Sequence, residues 1–246
     1  MIKVMREELF KKLLDSKSMT LSEYARTFLG VKYSPSVEPM ILATLAMDDR
    51  FEVKEGRIRL TKTAEANSFN KPFIVLDTET TGLTSYDNYV VEVAALKIEG
   101  SHIVDRFHTL VRPHKSIPPI ATSIHKITNE MVADKPFFAD IMDDLLEFIG
   151  DGIFVAHNVL FDWRFVNDEL KRNGKGPLSN SKMCTIQIAK TVLPNLSSYK
   201  LESLTKHFNT KALNTHRAMD DVSATVEILL EMLPKLTKPQ LKRLIF

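Results

Sequence analysis

The sequence predicts an α/β protein in two parts: a sheet flanked by helices, preceded by a small module of three helices and a hairpin. Three observations predict it. Short continuous apolar runs, Phe73 to Leu76 and Ile153 to Ala156, read as strands buried on both faces. Apolar residues recur at helical spacing in Phe138 to Ile149, in Phe161 to Leu170 and in Ala218 to Leu233. Before residue 62 the period changes from helical to alternating, as it does where helices give way to a hairpin.

Length and composition set the bounds. The 246 residues suit one large domain or two small ones, and a chain 44% hydrophobic and 26% charged is an ordinary globular one. A net charge of +2 means that any nucleic-acid binding must come from local patches. The single cysteine, Cys184, excludes an internal disulfide and fits a small core residue in a reducing compartment. No apolar run approaches the ~18 residues of a spanning helix. The start, Met1 to Glu8, is too charged for a signal peptide. The expectation is a cytoplasmic protein without membrane contact.

In the first part, Leu9, Phe10, Leu13 and Leu14 are spaced for a helix. Thr20-Leu-Ser-Glu23 is a capping box opening a second helix, which Gly30 should end. A third helix is expected from Ser34 or Ser36 through Ala46. Phe51 and Val53, a turn at Glu55-Gly56, then Ile58 and Leu60 make a hairpin. Three helices and a hairpin resemble a winged helix-turn-helix, a module that often reads DNA with one helix. Residues 1–70 carry 12 Lys and Arg against 10 Asp and Glu, and the third helix region holds Glu38, Asp48 and Asp49. That pattern favours protein contact or packing over groove binding. The polar stretch before Lys71 reads as a linker.

In the second part, Tyr89 to Ile98 and Ile103 to Val111 should complete a three-strand meander. Pro113, Pro118 and Pro119 interrupt regular structure, and a helix over Phe138 to Ile149 ends at Gly150. Asn158 is a plausible N-cap, which puts Asp162 in the first turn of the next helix. A short helix carries Leu201, Leu204 and Phe208. In the last helix, Asp221 lies on the edge of the apolar stripe and Asp220 points nearly opposite, so Asp221 faces inward.

Four carboxylates thus sit where an unpaired charge would be costly. Asp77 and Glu79, two apart on a strand, share one face. On that stretch alone a polar strand end is an equally good account. With Asp162 and Asp221 added, shared divalent cations become the economical one. His216, five residues before Asp221, means little by itself.

Asp-Thr-Glu-Thr-Thr-Gly (77–82), His-Asn-x-x-Phe-Asp (157–162) and His-Arg-Ala-x-x-Asp (216–221) together resemble the three motifs of the DEDDh family of 3′→5′ exonucleases. The proofreading subunit of bacterial replicative polymerases belongs to that family. The resemblance covers residues 72 to 233 and implies a ribonuclease-H-like fold, a five-stranded mixed sheet flanked by helices. It implies that Asp77, Glu79, Asp162 and Asp221 hold two Mg²⁺ or Mn²⁺ ions, with His216 as general base. Thr81, Gly82, Leu83, His125 and Phe161 would contact the terminal nucleotide. Family members often carry a Glu five residues before that His, where this chain has Ile120. His157 and Asn158 are expected to be structural, and Trp163 to pack in the core.

The implied activity is release of nucleoside 5′-monophosphates from 3′ ends of DNA, single-stranded or frayed, in proofreading or repair. RNA trimming and an inactive nucleic-acid-binding module are the alternatives. The domain boundaries expected are 1–62 for the winged-helix-like module, 63–71 for the linker, 72–233 for the exonuclease domain and 234–246 for a tail. A DNA polymerase is a candidate partner. So is a sliding clamp, because the ending Gln240-Leu-Lys-Arg-Leu-Ile-Phe246 loosely resembles clamp-docking peptides.

Overall fold

Residues 2–48, 50–61, 71–211 and 216–246 are described by a computed structural model. The expected linker, apart from Lys71, lies outside them, as do Asp49 and the side chain of Leu14. Contacts divide the chain into two units, Met1–Asn70 and Lys71–Phe246.

The first unit runs α1 (Ile2–Ser16), β1 (Met19–Thr20), α2 (Leu21–Phe28), α3 (Glu38–Ala46), β2 (Phe51–Lys54) and β3 (Arg57–Leu60). The capping box of α2 is formed: the Glu23 amide donates to Thr20 Oγ1 at 3.1 Å, and the Thr20 amide to Glu23 Oε2 at 2.8 Å. Gly30, at φ +66°, turns the chain so that the Val31 amide reaches back to the Ala25 carbonyl. The third helix begins later than its spacing suggests. A start at Ser34 would require Pro39 to donate a ladder hydrogen bond, and proline has no N–H. Glu55 and Gly56, both at positive φ, make the hairpin turn. The two-residue β1, too short to leave a periodic signal, pairs with β3 and gives the order β1-β3-β2.

Leu9, Leu13, Tyr24, Ile41 and Ile58 are the centre of this small core. Asp48 does not belong to a charged outer face. It is buried and takes two hydrogen bonds from the Arg50 guanidinium, at 3.0 and 2.8 Å.

The second unit holds a five-stranded mixed sheet in the order β6-β5-β4-β7-β8. β4 (Phe73–Thr80), β5 (Val90–Glu99) and β6 (His102–Leu110) form the expected antiparallel meander, while β7 (Ile153–Ala156) and β8 (Lys182–Cys184) continue parallel to β4. Around them lie α4 (Pro119–His125), α5 (Asn129–Val132), α6 (Phe138–Ile149), α7 (Val159–Arg172), α8 (Thr185–Val192), α9 (Leu201–Phe208), α10 (Ala218–Met232) and α11 (Lys238–Leu244). Ile74, Leu76, Val93 and Phe154 pack against α6 and α7 through Leu145, Phe148, Phe165 and Val166. The long apolar α10 packs on β4 and β5. No helix among the described residues is long and apolar enough to cross a membrane.

Residues 234–246 are not a free tail. Leu241 and Leu244 are buried, and Gln240 closes a capping box on Thr237. Phe246 exchanges two backbone hydrogen bonds with Lys182, covering the edge of β8. Of the clamp-like features, Gln240 and Leu241 are engaged in the fold, while the side chain of the terminal Phe246 is exposed.

Gly152, between α6 and β7, tests this packing. A Cβ there would lie 2.6 Å from Ile74 Cγ1 and 3.1 Å from the Ile149 carbonyl, and Ile74 is fully buried with no room to yield. Gly152→Ala is expected to lower unfolding free energy by about 1–3 kcal/mol, measured by urea titration. An unchanged midpoint and slope would contradict this account.

Candidate active site

Alternation along β4 sorts its residues between the two faces. Ile74, Leu76 and Thr78 point toward α7, while Val75, Asp77 and Glu79 share the face covered by α10. β4 outruns its parallel neighbour: the last pair with β7 is Val75 with Val155. Asp77 and Glu79 therefore stand past the carboxyl end of β7, where open α/β sheets form their crevices. The register with β5 shifts between Glu79 and Thr80, a bulge placed at the site.

Asp221 reaches this crevice from the first turn of α10, and Asp220 lies exposed outside it, as the stripe geometry requires. Ligand oxygens of Asp77, Glu79 and Asp221 all lie within 4.8 Å of one another. Asp162 is not in that trio but stands beside it. Its Oδ1 accepts from the Thr78 amide at 2.9 Å and from Thr78 Oγ1 at 2.8 Å, which leaves Oδ2. Asn158 holds the N-cap position of α7 through a left-handed backbone, φ +69°, and not through a side-chain bond.

The charges resist one another. Burial pushes the Asp77 carboxyl well above its ordinary range, and Asp162, Glu79 and Asp221 add to the rise. Burial, then Asp221 and Glu92, push Glu79 up to about 9, against a smaller opposing pull from Arg217. Burial also raises Asp162, and its bonds from Thr78 offset part of that rise. Hard oxygen donors clustered this closely suit a divalent metal such as Mg²⁺ or Mn²⁺.

Glu92 lies outside all three sequence motifs. Fully buried on β5 opposite Glu79, it is a fifth carboxylate at the site, yet its needs are met within the protein. Oε1 accepts from Arg217 at 2.8 Å and pairs with His108 Nε2 at 2.8 Å; Oε2 accepts from Arg217 Nε at 3.1 Å and from the Ala218 amide at 3.0 Å. Burial alone would raise its pKa, but the bonds from Arg217, His108 and Ala218 outweigh that and hold it below the ordinary range. Glu92 thereby fixes the first amide of α10 and the residue between His216 and Ala218. It positions both His216 and Asp221. Its signal in the sequence is a lone carboxylate inside an apolar strand, which demands partners.

His216, exposed and at φ +54°, lines a cleft of about 690 Å³ with Asp77, Asp221 and His157. His157 is held by Thr185 Oγ1 at 2.9 Å, and burial lowers its pKa to about 4, so it is a neutral wall residue. Thr81 is buried and bonded to Asn88 and Tyr89. Gly82 packs so closely on Asn88 that a Cβ would lie 2.5 Å from Oδ1. Leu83 is 83% exposed, beside Phe161 in a smaller depression of about 210 Å³. Trp163 packs edge-on against Phe154.

His125 is buried, and its Nδ1 accepts from the Ile127 amide at 3.0 Å. Its buried Nε2 makes no well-formed hydrogen bond among the described residues. The surface of α4 is instead offered by Ile120 and Ile124, both exposed.

A family model described as exonuclease (RNase_T) matches residues 74–229. The chain is 35% identical over 178 residues to the PolC-type DNA polymerase III of Oceanobacillus iheyensis, covering 72% of this chain and 12% of that protein. It is 34% identical over 170 residues to the DNA polymerase III subunit epsilon of Aquifex aeolicus, covering 69% of this chain and 84% of that one. The chain thus spans only 11% to 14% of the length of such PolC-type relatives. Among solved structures it is similar to exonuclease X in complex with 5′ overhanging duplex DNA (TM-score 0.55, 29% identity, 70% of this chain and 98% of that one). It also resembles the zinc-bound complex of E. coli exonuclease I with ssDNA (TM-score 0.61, 23% identity, 70% and 42%), a likeness that bears on the fold alone. The mixed sheet flanked by helices is the ribonuclease-H-like exonuclease fold.

Two outcomes check this geometry. Glu79 titrates at about 9 folded against 4.5 ordinarily, so the folded state holds the proton more tightly. Without metal, stability should be fully present at acid pH and fall as pH rises from about 4.5 toward about 9. Melting scans in EDTA should show that fall, Mn²⁺ should raise Tm more at the alkaline end, and Glu79→Gln should flatten the trend. A cation effect equal at both ends would contradict the cluster's role. Separately, Glu92→Gln should weaken Mn²⁺ binding about 10- to 100-fold by calorimetric titration. Unaltered affinity would reduce Glu92 to a packing residue.

Proposed function

The chain belongs to the exonuclease family, and from that premise we propose that it is a 3′→5′ exonuclease that removes nucleoside 5′-monophosphates from DNA 3′ ends. The observation that carries this is the convergence of Asp77, Glu79 and Asp221 within 4.8 Å, with Asp162 beside them and His216 on the same cleft. The four carboxylates would hold two divalent ions, Mg²⁺ or Mn²⁺. Bound there, such ions supply Lewis-acid polarisation of the phosphoryl oxygens and charge neutralisation.

The chain's own residues account for the rest. His216, exposed on the cleft, takes the proton of the attacking water, a role suited to imidazole near neutral pH. The water oxygen bonds to phosphorus, the P–O3′ bond breaks, and the released 3′-oxygen takes up a proton. Products are a 5′-monophosphate and a shortened 3′-OH strand. Thr78 orients Asp162, and Glu92 through Arg217 orients His216 and Asp221. Leu83 and Phe161 offer apolar surface to the terminal nucleotide, contact that tolerates any base. His125, buried, supports the segment bearing Ile124.

DNA is the favoured substrate over RNA. Exonuclease X, 29% identical, is seen with duplex DNA, and the polymerase relatives are DNA polymerase III proteins. Those relatives also support a polymerase as partner and proofreading as the role. The first unit supports a winged-helix reading through its helix order and wing-like β2–β3 hairpin. Its α3 has no Lys or Arg and exposes Met40 and Leu42, which suits contact with a protein better than with DNA.

The test is a product assay on a 3′-mismatched primer–template, single-stranded DNA and RNA, each with Mg²⁺, Mn²⁺ or EDTA. Release of 5′-mononucleotides from DNA is expected, abolished by EDTA and by Asp221→Ala. His216→Ala should slow it about 10²- to 10⁴-fold. Cleavage of RNA alone, or of nothing, would overturn the proposal.

A further inference from the structure

The cleft that reaches the carboxylates through Asp77, Asp221 and His216 continues well beyond them. Its far wall carries Lys190, at the end of α8, and Lys200, just before α9, with Tyr199 between. The residues expected to hold the terminal nucleotide, Thr81, Leu83 and Phe161, are not on this wall. Leu83 and Phe161 line the separate smaller depression, together with Arg164 and Phe165. Both hollows carry cations, Arg164 in the smaller and Lys190 and Lys200 in the larger, and the larger is the one that also holds Asp77 and Asp221.

Neither lysine has an ion-pair partner among the described residues. Glu202, the acid on this wall outside the carboxylate centre, is ion-paired with Lys206 at 2.7 Å and feels the Lys200 charge only as a weaker influence. Lys190 lies over the Tyr199 ring, 5.8 Å from its centroid, and the Tyr199 hydroxyl is anchored to the Leu193 carbonyl at 2.6 Å. One ammonium thus lies over an anchored ring on the wall of the carboxylate cleft, without an ion pair among the described residues. Lys200 is the N-cap residue of α9 and its side chain makes no cap hydrogen bond there.

We propose that Lys190 and Lys200 form a track for the phosphodiester backbone of the retained strand, gripping phosphates beyond the scissile one. This rests on the exonuclease reading and adds which surface takes the polymer. The ligand is the nucleic-acid backbone, held by charge and not by base. Such contacts carry affinity and salt dependence without sequence preference.

The experiment measures binding of a fluorescein-labelled oligothymidylate to the full chain by anisotropy in Ca²⁺, between about 50 and about 200 mM salt. Wild type is compared with Lys190→Gln/Lys200→Gln, substitutions of exposed side chains that keep most of their stems, with folding checked by melting. The slope of log K against log salt should become shallower by about 1.4, some 0.7 for each phosphate no longer neutralised. Affinity at the low-salt end should drop several-fold. In parallel, kcat/KM is compared on the oligonucleotide and on the p-nitrophenyl ester of thymidine 5′-monophosphate, which has no retained strand. The ratio of the two should fall at least severalfold in the variant. An unaltered slope, or equal losses on both substrates, overturns the track. Wild type that cleaves DNA while the variant keeps its slope removes the track and keeps the exonuclease. Lysine-dependent binding without cleavage by wild type does the reverse.

Discussion

Like charges crowded at the end of one buried strand set the terms for the rest of the second unit. Five carboxylates share the region, and the protein treats them in three ways. Glu92 receives a guanidinium, an imidazole and a backbone amide, and is held ionised. Asp162 has one oxygen tied to Thr78 and the other left over. Asp77, Glu79 and Asp221 converge, and the shifts of Asp77 and Glu79 show how strongly ionisation is opposed. Glu92 differs from Asp77 and Glu79 in the direction of its shift, because Arg217, His108 and the Ala218 amide all bond to it.

That division explains the placement of the secondary structure. β4 has to run past β7 to bring two acids into the crevice, and a bulge at Glu79 adjusts their aim. α10 has to start where Glu92 can bind its first amide, which delivers Asp221 one turn later. The two faces of the sheet contribute separately: Asp77, Glu79 and Asp221 from the α10 side, Asp162 by way of Thr78 from the α7 side. The apolar packing of α6, α7 and α10 is thus also what holds the cage in register.

Much of this is legible in the chain. Alternation puts Asp77 and Glu79 on one face, and helical phase chooses Asp221 over Asp220. Local signals of fixed offset, such as Thr20 with Glu23, also survive folding unchanged. What spacing cannot show is a partner brought in from far along the chain. Glu92 sits 125 residues from Arg217, and nothing local marks their meeting. Motif spacing nominates His125 for a substrate contact and says nothing about its depth in the fold. Residues 234–246 read as an appendage because a single backbone pairing with Lys182 has no period. The late start of α3 follows from Pro39, a local signal that apolar spacing overrides when the two are read together.

The tie between Thr78 and Asp162 spans 84 residues, and Asp221 comes later still. No early fragment of the chain contains the whole cage. A polypeptide under synthesis, or one with α10 undocked, lacks the third acid that closes the cluster, and strands that far apart in sequence meet only late in folding. The cluster is therefore a property of the finished second unit: its oxygens converge only with the first turn of the final long helix in place.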